Sequence, residues 1–328
     1  MKKFIAIILT IALSLSLAAC GASEPAPQAD DGAIKVAIVQ QLDHSSLDEI
    51  REAVKAQLNT LASGQSISIE IKEYNGQNDS TMLNQICTDA VADGVDMIVP
   101  IATLAAQAAV TAAEDTNIPI VYAAISDPES AGLTGIPTVT GVSDALNTPF
   151  ILDMMLAAQP DIQTVGLLYS NSEINSLTPI AEAKAYLEEK GIEIIEKTGT
   201  TVGEIQEATA SMVGRVDAVF TPTDNAVMAA EATVAELLNA DGIPHYTGAD
   251  SFVLSGAFTT CGVNYTELGT KAGSMAFDIL RGGEIGDFVI MDGGIITVNI
   301  DTADACGIDY SVFSSMANTV NAVTTIVD

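Results

Sequence analysis

From Ile34 onward, short apolar runs rich in β-branched residues alternate with segments of helical spacing. This βαβα order narrows the fold more than any other feature of the chain. Consecutive parallel strands cannot be joined by tight turns; each needs a crossover, usually a helix. Residues 34–39 read as a strand. Ser45 and Ser46, followed by Asp48 and Glu49, read as a helix N-cap with a capping box. Leu47, Ile50, Val54, Leu58 and Leu61 then recur at helical spacing until Gly64. Strands over 66–72, 97–100 and 119–123 alternate with helices over 79–92 and 103–114.

A second series follows. Thr148-Pro149 and Thr178-Pro179 each read as a cap followed by proline in the first turn. They start helices to about 159 and 190. Strands over 165–169, 192–196, 218–220 and 244–246 alternate with helices over 202–213 and 223–239. A strand at 257–261, a helix over 266–280 and two paired late strands near 288–291 and 295–298 complete the pattern. After Ala303 two alternatives stand: Tyr310, Val312, Phe313 and Met316 pack on a lobe, or 311–327 forms one more helix.

The expected fold is therefore α/β, with two similar lobes, each a parallel sheet flanked by helices. Segments 140–143, 249–256 and 283–287 lie between the two series and are expected to be three crossovers. The expected N-terminal lobe is 34–142 plus 254–283, and the C-terminal lobe 143–253 plus 284–328. Such a chain places a cleft at the carboxyl ends of its strands, where open α/β sheets bind ligands.

Residues 1–19 precede this pattern and have a different character. Lys2 and Lys3 are followed by an apolar run from Phe4 to Leu17, too short to span a membrane comfortably. It closes on Leu17-Ala18-Ala19-Cys20, which resembles the lipobox of bacterial lipoproteins. The resemblance implies a cleaved signal peptide over 1–19, a lipidated Cys20 and a flexible tether over 20–33. A plain secretory signal with an incidental cysteine is the alternative. Localisation is then extracytoplasmic, with attachment to the membrane by lipid alone.

Charge excludes other attachments. With 43 Asp and Glu against 12 Lys and Arg, the formal net charge is −31, so neither nucleic acid nor an anionic membrane surface is an expected partner. Loss of residues 1–19 would remove two lysines and no acid, taking the charge to −33. Cys87, Cys261 and Cys306 remain beside Cys20; their odd number does not read as a disulfide framework, and they are expected to act as buried small hydrophobes.

Polar residues directly after the strands are the candidate cleft lining. Gln40 and His44 follow the first strand, and Ser126 and Asp127 the fourth. Asn175, then Thr223, Asp224 and Asn225, then Asp250 follow strands of the second series. No Lys or Arg falls in these loops, which points away from phosphates and dicarboxylates. A neutral or zwitterionic solute fits better. Its carboxylate would lie on helix N–H groups and hydroxyls, and its ammonium on Asp224, Asp127 or Asp250. Thr103 and Thr223 also suit plain N-capping. Tyr122, Tyr169, Phe252 and Tyr265 either face the cleft or pack in the core. With no G-x-S-x-G, P-loop, H-E-x-x-H or dinucleotide fingerprint, an enzyme is not expected, and neither a cofactor nor a metal is invoked.

Gln40 to Asp48 (QQLDHSSLD), Ala124 to Pro128 (AISDP), Val139 to Asp144 (VTGVSD), Val165 to Ser176 (VGLLYSNSEINS), Pro222 to Asn225 (PTDN) and Gly256 to Gly269 stand in a characteristic order. In these segments the chain resembles the ABC-transporter substrate-binding lipoproteins of the tryptophan/tyrosine type, which have a type I periplasmic-binding fold. The resemblance implies capture of a small amino acid, often aromatic, and delivery to an ABC permease driven by a separate ATPase subunit. It maps ligand contacts onto Thr103, Ser126, Asp127, Ser143, Asn175, Thr223, Asp224, Asn225 and Asp250. Departures at Ser45-Ser46 and around 247–254 flank the cleft. A monomer is expected. A sugar or nucleoside receptor of the same fold, and a ligand sensor working with a separate transducer, are the alternative functions.

Overall fold

A computed structural model describes residues 32–326. The expected signal peptide, the expected lipidation site Cys20 and most of the expected tether lie outside the described residues. Two sheets form. The first has the order β11-β5-β4-β3-β1-β2, built from β1 (Ile34–Gln40), β2 (Ile69–Asn75), β3 (Met97–Ile101), β4 (Ile120–Ala123), β5 (Val139–Ser143) and β11 (Val289–Ile290), and every pairing in it is parallel. The second has the order β13-β12-β10-β9-β8-β6-β7. Its strands are β6 (Thr164–Tyr169), β7 (Glu193–Thr198), β8 (Ala218–Thr221), β9 (His245–Thr247), β10 (Thr259–Gly262), β12 (Ile295–Asn299) and β13 (Thr319–Val323). Only β10 and β12 pair antiparallel among these described strands.

Central strands such as β3 and β8 are buried along their whole length, because helices cover both sheet faces. The helices that matter for the cleft begin at the carboxyl ends of strands. They are α1 (Ser45–Gly64), α2 (Ser80–Ala92), α3 (Thr103–Ala113), α4 (Thr148–Ala158), α5 (Leu177–Lys190), α6 (Val202–Ala210), α7 (Asn225–Met228), α8 (Glu231–Ala240), α9 (Asp250–Leu254), α10 (Tyr265–Leu280) and α11 (Ile300–Cys306).

The two-lobed α/β expectation agrees with this architecture, but the crossings move. The late strands do not pair with each other: Val289 and Ile290 pair with β5 of the first sheet, and β12 pairs with β10 and β13 of the second. Gly293 and Gly294 therefore carry the chain between sheets rather than round a hairpin. Likewise β10 belongs to the second sheet, although 254–283 was expected in the N-terminal lobe; only α10 returns, packing on α1. By sheet membership the crossings fall at 144–147, 263–264 and 291–294.

Several local readings also change. The residue preceding α1 as its N-cap is His44, and Ser46 bonds Asp250 instead of capping. Asn147, not Thr148, caps α4. A 3-10 turn at Ile174–Ser176 leads into α5, so Thr178 sits inside the helix. The helix expected over 223–239 breaks into α7 and α8. Of the two alternatives for the tail, packing on a lobe holds and the single helix does not: Phe313 is fully buried against Phe258 at a centroid distance of 6.1 Å, Tyr310, Val312 and Met316 pack on the same core, and β13 extends the sheet. Cys87 and Cys261 are buried as expected; Cys306 is only partly so.

Close approach of α10 to α1 rests on two glycines one turn apart. A Cβ on Gly269 would meet the Ile50 carbonyl oxygen at 2.6 Å and Ala53 Cβ at 2.7 Å. On Gly273 it would meet the Val54 carbonyl oxygen at 3.0 Å. Gly269→Val should destabilise the protein by about 1–3 kcal/mol or more, since backbone cannot yield as a side chain can. Urea unfolding measures this; an unchanged midpoint would refute the close packing.

Candidate functional site

Between the lobes lies a small cavity of about 30 Å³, far below the roughly 300–1,000 Å³ usual for small-molecule sites, so a solute can enter only if the lobes separate. Its walls come from loops that follow strands. The first lobe supplies His44, Ser46 and Leu47 after β1, Ala102 and Thr103 after β3, Ala124 and Ser126 after β4, and Asp144 after β5. The second supplies Asn175 after β6, Thr223 to Asn225 and Met228 after β8, and Ala249, Ser251 and Phe252 after β9. Tyr265 closes one side from the first turn of α10.

The lobes are drawn together over this space. Ser126 Oγ and Thr223 Oγ1 are 2.9 Å apart, and Ser126 Oγ also donates to Asp144 Oδ1 at 3.1 Å. Ser46 Oγ donates to Asp250 Oδ1 at 3.2 Å. Gln41 Nε2 donates to Glu173 Oε1 at 3.0 Å, and Thr178 Oγ1 to Asp127 Oδ2 at 2.7 Å. His44 Nε2 lies 3.3 Å from Asn225 Oδ1. Asn225 Nδ2 is committed to Glu173 Oε2 at 2.9 Å, so its Oδ1 is the acceptor and His44 carries its proton on Nε2. Burial pushes the His44 pKa down, which keeps the ring neutral. Its Nδ1 is then a buried lone pair without a partner in the chain.

Two other lining residues carry buried polar atoms that the chain leaves unpaired: Asn175 Oδ1 and Ser251 Oγ. With the Asp144 carboxylate, the cavity is thus rich in acceptors. Burial raises the Asp144 pKa to about 6, against the smaller opposing effect of its hydrogen bond from Ser126. No Lys or Arg lines the cavity among the described residues.

The backbone is strained where it meets this space. Ala102 has φ +72° and ψ 165°, a region nearly confined to glycine, and Ala124 has φ +58°. Both follow strands of the first sheet and both line the cavity. α3 starts directly after the twist at Ala102, and Gln41 Oε1 accepts the first-turn Leu104 N–H at 3.0 Å.

The sequence-derived candidates divide. His44, Thr103, Ser126, Asn175, Thr223, Asp224 and Asn225 are brought together in the lining. Gln40, Asp127, Ser143 and Asp250 are not. Gln40 is buried and orders its own loop through Leu42 and Asp48. Asp127 accepts from Ser130 and Thr178 beside the cleft. Ser143 accepts the Ala145 N–H, and Asp250 sits behind Ser46. Asp224 lines the cavity, yet its oxygens accept from Ser170 N, Ser176 Oγ and Val227 N. It is an internal anchor with little capacity left for a solute. Thr103 does not cap α3, whose N-cap is Ala102. Phe252 and Tyr265 face the cavity, whereas Tyr122 packs against Gly141 and Tyr169 bonds Glu196.

Asp144 and Ser251 stand in post-strand loops expected to line the cleft, but the sequence reading assigned the ligand contacts to their neighbours Ser143 and Asp250. It missed Ser46, Leu47 and Met228, whose helical spacing reads equally well as capping or core.

This arrangement, two α/β lobes closed over an acceptor-rich cavity, defines a solute-binding protein of the type I periplasmic-binding fold. A family model described as ABC transporter substrate binding protein matches residues 35–318, and the chain belongs to that family. Its members are non-enzymatic components of transport systems that act outside the cytoplasm. The chain is 32% identical over 277 residues to a tyrosine-binding protein of Clostridioides difficile, covering 82% of this chain and 80% of that protein. It superposes with a TM-score of 0.82, at 29% identity, on an ABC domain in complex with L-Trp from Streptococcus pneumonia, covering 88% of this chain and 99% of that one. On the ligand-free, open structure of a substrate binding protein with adhesive properties from Clostridium difficile the TM-score is 0.67, at 30% identity, covering 90% and 100%. The better match to the ligand-bound structure agrees with the closed interlobe contacts. No described helix is long and apolar enough to cross a membrane.

Ala102 generates a prediction of unusual sign. Glycine normally destabilises relative to alanine, but here it relieves a strained φ. Ala102→Gly should stabilise the protein by about 1 kcal/mol, read as a higher Tm. A lower Tm would show that the strain is absent.

Proposed function

We propose that the chain captures an L-amino acid with an aromatic side chain and delivers it to an ABC permease served by a separate ATPase. The observation that carries this reading is the set of unpaired acceptors in a cation-free cavity. His44 Nδ1, Asn175 Oδ1 and the Asp144 carboxylate suit an ammonium group. The first turn of α3 at Thr103 and the Ser251 hydroxyl suit a carboxylate. Leu47, Met228, Phe252 and Tyr265 give the side chain an apolar wall. The tyrosine-binding relative and the L-Trp complex support the aromatic choice. Asp144 replaces Asp127, Asp224 and Asp250 as the ammonium partner, because those three are occupied by the chain or lie outside the lining.

Closure works by differential affinity. A solute touching both lobes favours the closed state, and one touching a single lobe shifts nothing. We propose further that the protein is exported as a lipoprotein, anchored through Cys20, and works as a monomer.

Calorimetric titration of the purified protein with the amino acids, nucleosides and simple sugars tests the solute class. Tight binding of L-tyrosine or L-tryptophan is expected; binding of a sugar with silence for every amino acid would overturn the reading. Asp144→Asn should weaken the amino acid by about 2–5 kcal/mol. The ammonium needs the ionised carboxylate, whose pKa in the empty cavity is about 6. Affinity should therefore fall as pH drops through 6, and Asp144→Asn should remove that fall. Incorporation of labelled palmitate is expected for the native chain and should vanish in Cys20→Ala.

A further inference from the structure

Glu173 is a fully buried acid at the lobe junction, and the solute contacts proposed above do not use it. It stands in the loop after β6 and is fully buried. Gln41 of the first lobe donates to one of its oxygens and Asn225 of its own lobe to the other. Each partner reaches the cavity in turn. Gln41 Oε1 holds the Leu104 N–H in the first turn of α3, and Gln41 Nε2 also donates to Asn78 Oδ1 at 2.8 Å. Asn225 Oδ1 holds His44. Glu173 therefore fastens both lobes behind the cavity wall.

Its electrostatic surroundings are one-sided. Asp224 is the charged neighbour, His44 beyond Asn225 is neutral, and the other partners, Gln41, Asn225 and Asn175, are amides. Among the described residues no cation offsets the carboxyl. Burial pushes both acids up, but Asp224 keeps two backbone N–H groups and the Ser176 hydroxyl that oppose the push, so Glu173 is the better placed of the coupled pair to hold a proton.

We propose that Glu173 is a positioning residue that takes up a proton from solvent when the lobes close, making solute capture proton-linked. In the open state Gln41 leaves with its lobe, water reaches the carboxyl, and it ionises near the ordinary value for glutamate, about 4.3. In the closed state burial, with Asp224 beside it, pushes the pKa to about 8. A closed-state value above the open-state one favours closure fully at low pH. That advantage fades as pH rises from about 4.3 and is gone above about 8. Asp144 works in the opposite sense and only around and below pH 6, so the two are separable.

The inference rests on the solute-binding reading, and its test distinguishes the two. The protein is titrated with L-tyrosine from pH 6.5 to 8.5 in buffers of different ionisation enthalpy. Close to one proton should be taken up near pH 7, and affinity should fall roughly tenfold or more across the range. Glu173→Gln removes the charge and keeps the size, although its Nε2 cannot accept and one of the two amide bonds is lost; it should bind with less than about twofold pH dependence and no such uptake. Glu173→Ala should bind weakly at every pH. Binding without proton uptake, or a Glu173→Gln protein that keeps the pH dependence, overturns the proposal while leaving solute capture intact. If L-tyrosine does not bind, small-angle scattering of the ligand-free protein decides: the native chain should be more compact at pH 6.5 than at 8.5, and Glu173→Gln should not change.

Discussion

Every functional feature of this molecule depends on one constraint: polar groups enclosed between two lobes must be matched or left for a solute. Parallel sheets end in loops and helix N-termini, so each lobe brings donors and acceptors to its carboxyl edge. When the lobes meet, most of these groups pair across the junction, as Ser126 does with Thr223 and Gln41 with Glu173. Of the seven buried side-chain atoms left unpaired among the described residues, three, His44 Nδ1, Asn175 Oδ1 and Ser251 Oγ, belong to residues that line one cavity. Unmatched buried groups cost about 1–3 kcal/mol each, so the closed state is incomplete until something supplies partners.

The distribution of charge follows the same logic. The molecule is strongly acidic, yet its cations are spent on the outside of the first lobe and on helix surfaces. Arg51 illustrates this. It bonds Gln40 and Asp48 and pairs with Glu73, and so braces the loop after β1 from behind. The cavity itself holds acids without counter-ions. Asp144 accepts from Ser126 and lines the cavity, Asp224 is consumed by the chain, and Glu173 is the acid proposed to take up a proton. Three carboxyls that look alike in sequence thereby take three different roles, set by which donors reach them.

Much of the site was legible because post-strand loops must line the cleft in a parallel α/β fold. That rule found His44, Ser126, Asn175 and the Thr223–Asn225 stretch. It failed where hydrogen bonding competes with exposure: Gln40 turns inward to order its own loop, and Asp250 is held by Ser46. Ser46 itself was read as a cap from a local pattern that the tertiary contact overrides. The helix expected over 223–239 was one periodic segment, but the N-cap at Asp224 starts only a short turn before α8 begins at Glu231.

The sequence by itself determined the alternation of strands and helices, and with it two parallel sheets and a cleft at their carboxyl ends. Periodicity is local, and parallel topology leaves few other solutions. Only the tertiary structure decided where the chain crosses between lobes, because strand pairing in β10, β11 and β12 is a non-local contact. It alone separated Asp144 from Asp224 and Glu173, since a carboxyl's role depends on partners far away in the chain. Gln41 and Glu173, 132 positions apart, meet only through the packing of one lobe on the other.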